Sequence, residues 1–118
     1  MKISEGQKQL IENNPVAIAT VGEDNTPNVI AVASVKVVDD NLIITDNYMV
    51  STVTNIQKNP KVCLAVWDKH WKGCKITGSV EYHSSGDWLD FVKGLDENKG
   101  YSAKGALVVK VEQLNELG

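Results

Sequence analysis

Short apolar runs separated by clusters of turn-forming residues dominate the chain, and this spacing constrains the fold more than any other feature. Val16 to Val21 is a compact run of β-branched residues and alanine, followed by Gly22-Glu23-Asp24-Asn25-Thr26-Pro27, which is dense in turn formers. A second run, Asn28 to Val38, ends at Asp39-Asp40-Asn41, residues that tolerate positive φ at a tight connection, and Leu42 to Thr45 then resumes β-type character. Val62 to Trp67 is almost unbroken in apolar character, so both of its faces are expected to be covered. From Cys74 to Tyr82, Ile76, Gly78 and Val80 alternate with Lys75, Thr77, Ser79 and Glu81, the pattern of a strand with one buried face. Ala106 to Val111 is the last run. Six strands joined by hairpins without long crossovers predict a mainly β fold, an antiparallel barrel that is closed or half open.

Short helices flank these strands. Ser4 and Gln7 have capping-box spacing, so a helix is expected over 4–13, stopping before Asn14-Pro15 and lying as a lid on one end of the barrel. Ser51 to Lys58 places Val53 and Ile56 three apart before Asn59-Pro60 ends it, which reads as a helix of about two turns. Beyond Ser85, Trp88, Phe91, Val92 and Leu95 share one helix face and are expected in the core. At 118 residues the chain fits a single domain over 1–118.

Composition excludes several roles. All twelve basic residues are lysine, so the planar guanidinium fork that reads guanine is missing, and at a net charge of −3 no nucleic-acid partner is expected. No apolar run approaches the ~20 residues of a membrane helix, and Met1 to Gly6 lacks the apolar region of a signal peptide. A cytoplasmic location and no membrane contact are therefore expected. Cys63 and Cys74 are too few for a disulfide framework and sit in apolar runs, where a reduced thiol behaves as a small hydrophobe.

The most informative stretch is Thr45-Asp46-Asn47-Tyr48-Met49-Val50-Ser51-Thr52, where a strand end passes through a short polar turn into the first turn of a helix. The first helical amides lack internal partners and the macrodipole adds roughly half a positive charge, so an anion sits well there without basic side chains. The competing reading is that Ser51 or Thr52 merely caps its own helix, and local pattern leaves both open. His70, Cys74 and His83 do not cluster as three or four converging ligands, so no metal is expected. Trp67 and Trp71 bracket a loop and read as core or dimer packing before flavin stacking. Neither a Ser-His-Asp or Cys-His arrangement nor a Gly-rich phosphate loop is visible.

Four pieces, in order, carry a family resemblance. They are Pro27-Asn28-Val29 opening a strand that ends in Val38-Asp39-Asp40; Asp46-Asn47-Tyr48-Met49 through Ser51-Thr52; Asn59-Pro60-Lys61-Val62 leading to Val66-Trp67-Asp68; and Ile76-Thr77-Gly78-Ser79-Val80-Glu81-Tyr82. From Val16 to Val111 the chain resembles the FMN-binding split β-barrel superfamily, which includes pyridoxamine 5'-phosphate oxidase and small bacterial FMN-binding proteins. The resemblance implies a six-stranded antiparallel split barrel of Greek-key type and a homodimer with FMN at its interface. It places the flavin phosphate at the helix start near Ser51 and Thr52 and the ring against the backbone of Ala31, Val32, Ala33 and Ser34, with Thr45, Asp46, Asn47 and Tyr48 also among the cofactor-binding residues. Members of the superfamily usually carry a basic residue where this chain has Ser51, and Lys75 or a lysine of the partner is the candidate to compensate. Three roles stay open: a flavin-dependent oxidoreductase acting with a small molecule or redox partner, an FMN carrier or electron-transfer module, and a dimeric barrel that has lost flavin. Pyridoxamine phosphate oxidation itself is disfavoured, because that enzyme grips its substrate phosphate with arginines and this chain has none.

Overall fold

The computed structural model describes residues 1–117. Helix α1 (Glu5–Asn13) begins at the capping box: the Ser4 hydroxyl accepts from the Gln7 amide at 3.1 Å and the Gln7 side chain accepts from the Ser4 amide at 2.9 Å. Its far end is tied down by Glu12, whose carboxylate accepts from the Val37 amide at 2.8 Å. The strands are β1 (Val16–Val21), β2 (Pro27–Val32), β3 (Val35–Val38), β4 (Asn41–Asp46), β5 (Lys61–Trp67), β6 (Gly73–His83) and β7 (Gly105–Leu117). Helix α2 (Ser51–Lys58) lies between β4 and β5, and α3 (Asp87–Lys93) with a 3-10 turn (Asp96–Asn98) lies between β6 and β7. Among the described residues no helix is long and apolar enough to cross a membrane.

All pairings are antiparallel, in the order β2-β1-β5-β6-β7-β4-β3. The two edge strands, β2 and β3, follow one another in the chain across only Ala33 and Ser34. The sheet must therefore curl until its edges approach, which makes a half-open barrel. This corrects the expected strand count from six to seven, because Asn28 to Val38 is two strands. The β1–β2 ladder ends at Val16–Val32; beyond Val16 the partner is Pro15, which has no N–H to offer, so the chain leaves β1 and β3 pairs with β4 instead. Strand β7 also runs past Val111 to Leu117, since the eleven-residue β6 offers backbone partners to a polar segment that has no apolar pattern of its own. At Gly78 the β6–β7 register shifts, and a Cβ there would collide with the Lys110 carbonyl oxygen.

Ile18, Leu42, Ile44, Leu64, Val66, Ile76, Leu107 and Val109 fill the barrel interior. Ile43, Ala106 and Val108, on the other face of β4 and β7, are covered by α3 through Leu89 and Val92. So β4, rather than β5, has both faces covered. In β5 Val62, Leu64 and Val66 are buried, Cys63 and Ala65 are half-buried, and Trp67 is exposed. The predicted helical stripe is also altered: Leu89 joins Val92 in the buried set, while Trp88 and Phe91 pack edge to face, half-buried, with centroids 5.8 Å apart.

Candidate functional site

A cleft of about 590 Å³ opens where β2 breaks into β3, bounded by the end of β4, the start of α2 and the 3-10 turn. Its floor is organised by Asp46. This side chain is fully buried; its Oδ1 accepts from the Met49 amide at 2.8 Å and its Oδ2 from the Tyr82 hydroxyl at 2.6 Å. The Lys104 ammonium lies 3.9 Å from Oδ2 and donates to the Met49 carbonyl. Burial first, then the hydrogen bond and the charge of Asp46, holds the Tyr82 phenol well above its usual value. The connection from Asn47 to Val50 is thereby pinned at Met49, which aims the start of α2 at the cleft.

That helix start is bare. Its cap residue is Val50, and among the described residues no side chain caps its first amides. Ser51 and Thr52 are not caps but the first two helical residues, and both line the cleft. Thr52 is 1% exposed and its hydroxyl accepts from Asn28 at 3.2 Å, and Asn28 with Asn55 also donates to Thr20. The unsatisfied amides of an uncapped first turn suit an anion. Asn47 also lines the cleft, and its buried Oδ1 has no hydrogen-bond partner. Exchanging its amide O and N by rotation would turn the donor face inward.

The opposite end has different chemistry. Ser34 donates to Glu97 Oε2 at 3.1 Å and Lys36 lies 3.2 Å from the same oxygen. Asn98 is buried and donates to Thr45 Oγ1 at 2.8 Å and to the Val92 carbonyl at 2.7 Å, pegging the 3-10 turn onto the sheet. Tyr48 and Tyr101 meet edge to face across the rim with centroids 6.3 Å apart.

Of the residues singled out in the sequence, Ala31, Val32, Ala33, Ser34, Thr45, Asn47, Tyr48, Ser51 and Thr52 come together around this one cleft. Asp46 and Lys75 do not. Asp46 points inward beneath the loop, and Lys75 stands on the outer face of β6, opposite to buried Cys74 and Ile76. Glu97, Asn98 and Tyr101 line the cleft without having been singled out, as do Asn28 and Met49, which the sequence marked only as parts of wider motifs. Among the described residues no group of three His, Cys, Asp or Glu side chains converges. Cys74 faces the core, where burial pushes its thiol up, and the Trp67 and Trp71 rings stack at 6.3 Å on an exposed hairpin.

A curled antiparallel sheet whose edges part over a cleft, with an uncapped helix start on its wall, defines a protein of the split-barrel type. The comparisons narrow this. The family described as pyridoxamine 5'-phosphate oxidase matches residues 3–117, and the chain belongs to that family. It is 33% identical over 122 residues to an uncharacterized protein of Methanocaldococcus jannaschii, covering 99% of this chain and 82% of that one. The crystal structure of HupZ from Group A Streptococcus superimposes with a TM-score of 0.90 at 26% identity, over 98% of this chain and 94% of that chain. An FMN-binding protein from Syntrophomonas wolfei shares the fold, with a TM-score of 0.81 at 17% identity over 97% of this chain and 85% of that chain.

Proposed function

We propose that this protein binds FMN in the cleft, as a homodimer, and serves as a flavin-dependent oxidoreductase of the cytoplasm. The observation that carries the reading is the bare start of α2, whose amides, with the Ser51 hydroxyl, would receive the flavin phosphate. Thr52 would contribute through its buried hydroxyl, and Ala31 to Ser34 would lie along the ring, on the edge strand β2 and the break after it, where Ala33 falls between the β1–β2 and β3–β4 ladders. Small side chains at Ala31 and Ala33 let a planar ring approach that backbone closely. Bound FMN supplies the redox chemistry, and the chain supplies binding, orientation and exclusion of water. The two free cysteines, Cys63 and Cys74, support a reducing compartment.

Pairing of two copies is supported by the outer face of β2, β1 and β5. Across these strands the outward rows read Val29, Ala19, Cys63 and then Ala31, Ala17, Ala65, all apolar, with Val29 65% exposed. Among the described residues no helix covers this face as α3 covers β4 and β7. It runs through Ala31 into the cleft wall, so a second copy lying on it would also wall the ligand.

The test compares FMN with riboflavin, which has the ring but no phosphate. FMN is expected to bind tighter by about 2–4 kcal/mol, the worth of several hydrogen bonds to a charged group. Thr52→Val should narrow that gap while leaving riboflavin affinity nearly unchanged. Absence of any preference for FMN refutes the phosphate assignment. Oxidation of a reduced nicotinamide with an added acceptor, catalysed by the yellow protein, then separates an enzyme from a carrier.

A further inference from the structure

The two ends of the cleft differ in sign. Around α2 the lining offers amides and hydroxyls, whereas among the described residues Glu97 is the only formally charged side chain in the lining. We propose that Glu97, in a cleft whose rim carries Tyr48 and Tyr101, marks a subsite for an organic cation, a protonated or quaternary nitrogen carried by the second ligand that meets the flavin. This deepens the flavin reading, on which it rests for the identity of the first ligand alone.

Three features support the subsite. The contacts of Ser34 and Lys36 both fall on Oε2 of Glu97, so they fix the carboxylate in place and leave it acceptor capacity for a ligand donor. Lys36 is not a lining residue; it offsets part of the charge from the β3 side, and a cation arriving from the cleft meets the rest. The Tyr48 and Tyr101 rings stand at 80° to each other, 78% and 54% exposed, at the mouth of a cleft rather than in a core. Glu97 and the two rings line the same cleft, and a carboxylate and electron-rich rings sharing one cleft are the composition that recognises ammonium groups, through ion pairing and attraction to the ring faces. The frame is also rigid, because buried Asn98 locks the turn that carries Glu97 to both Thr45 and the end of α3.

The experiment uses the FMN-loaded protein and two probes that share one ring and differ in charge, benzyltrimethylammonium and benzenesulfonate, each titrated calorimetrically. The cation should bind at least about tenfold tighter, the worth of one charge-assisted contact. Glu97→Gln, a conservative change at a half-exposed position, should remove most of that preference. Tyr101→Leu should weaken the cation severalfold and leave the sulfonate unmoved. FMN affinity should fall by clearly less than cation affinity in both variants. Equal binding of the two probes overturns the proposal, as does a preference that survives Glu97→Gln. A loss of FMN affinity in Glu97→Gln as large as the loss of cation affinity also overturns it, since the carboxylate would then face the flavin. If the chain takes up no FMN yet shows a Glu97-dependent preference for the cation without it, the flavin reading falls and the cation subsite stands.

Discussion

Asp46 offers the sharpest quantitative test, because the structure gives it a positioning role where the family resemblance implied contact with the cofactor. Asp46→Ala strips the acceptor from two donors, the Met49 amide and the Tyr82 hydroxyl, and leaves Lys104 beside a void. A buried donor such as the Met49 amide left without a partner costs about 1–3 kcal/mol, and the half-buried Tyr82 hydroxyl, which water can partly satisfy, adds less, so the change predicts a loss of about 2–4 kcal/mol. Set against the roughly 5–15 kcal/mol that holds a small domain folded, this is a large fraction. Asp46→Asn is milder: its amide oxygen still accepts from Met49, and its NH₂ can donate to the Tyr82 oxygen, so mainly the charge assistance is lost, about 1–2 kcal/mol. Urea unfolding followed by tryptophan fluorescence measures both, with the slope unchanged if only the native network is altered. Because Asp46 does not line the cleft, the Asn variant should hold FMN within about threefold of the parent. A loss below about 1 kcal/mol in Asp46→Ala would refute the buried-network account. A tenfold change of FMN affinity in Asp46→Asn would show that the carboxylate touches the ligand after all.

Other outcomes follow from the same geometry. Ser51→Lys should tighten FMN by up to about tenfold, since it adds a charge-assisted contact at an exposed first-turn position on the cleft; unchanged affinity in a fluorescence titration would put the phosphate elsewhere. Ala17→Glu inserts a charge among Ala31, Ala65 and Ala19 on the outer face and should convert the proposed dimer into a folded monomer in sedimentation equilibrium, with weaker uptake of FMN; a variant that stays dimeric excludes this face as the interface. For Tyr82 the folded-state value is raised above its ordinary 10.0, so the native state binds more protons than the unfolded chain once the pH passes that value. Its contribution to stability is therefore fully present below about pH 10 and is lost as the pH climbs toward the raised value. Tyr82→Phe should start out less stable and decline less steeply above pH 10, and parallel declines in the two proteins would remove Tyr82 as the cause.

Much of the site could be read along the chain because its parts are local. The capping box at Ser4 and Gln7, the stop at Asn59-Pro60 and the start of α2 after Tyr48-Met49-Val50 depend on interactions spanning three or four residues, and they form in any context that tolerates a helix. The alternation in β6 likewise needs only a sheet with one dry face. Nine residues marked in the sequence converge on one cleft, since two strand ends and one helix start are brought together by the closing of the barrel.

What sequence could not decide depends on partners far along the chain. Whether Asn28 to Val38 is one strand or two is set by where β1 runs out of ladder at Pro15, and whether β7 stops at Val111 or reaches Leu117 is set by the length of β6. Direction along a strand end is equally non-local. Asp46 reads like its neighbours Thr45 and Asn47, yet Tyr82 and Lys104, 36 positions and more away in the sequence, draw its carboxylate inward. Glu97 and Asn98 sit in a polar segment with no pattern to mark them, and they enter the site only because the 3-10 turn folds back over residues 63 and 53 positions earlier, Ser34 and Thr45. Local sequence fixes which conformations a segment prefers; only the packed sheet fixes which side chains share a cleft, because that choice is made by contacts between residues that have no short-range coupling at all.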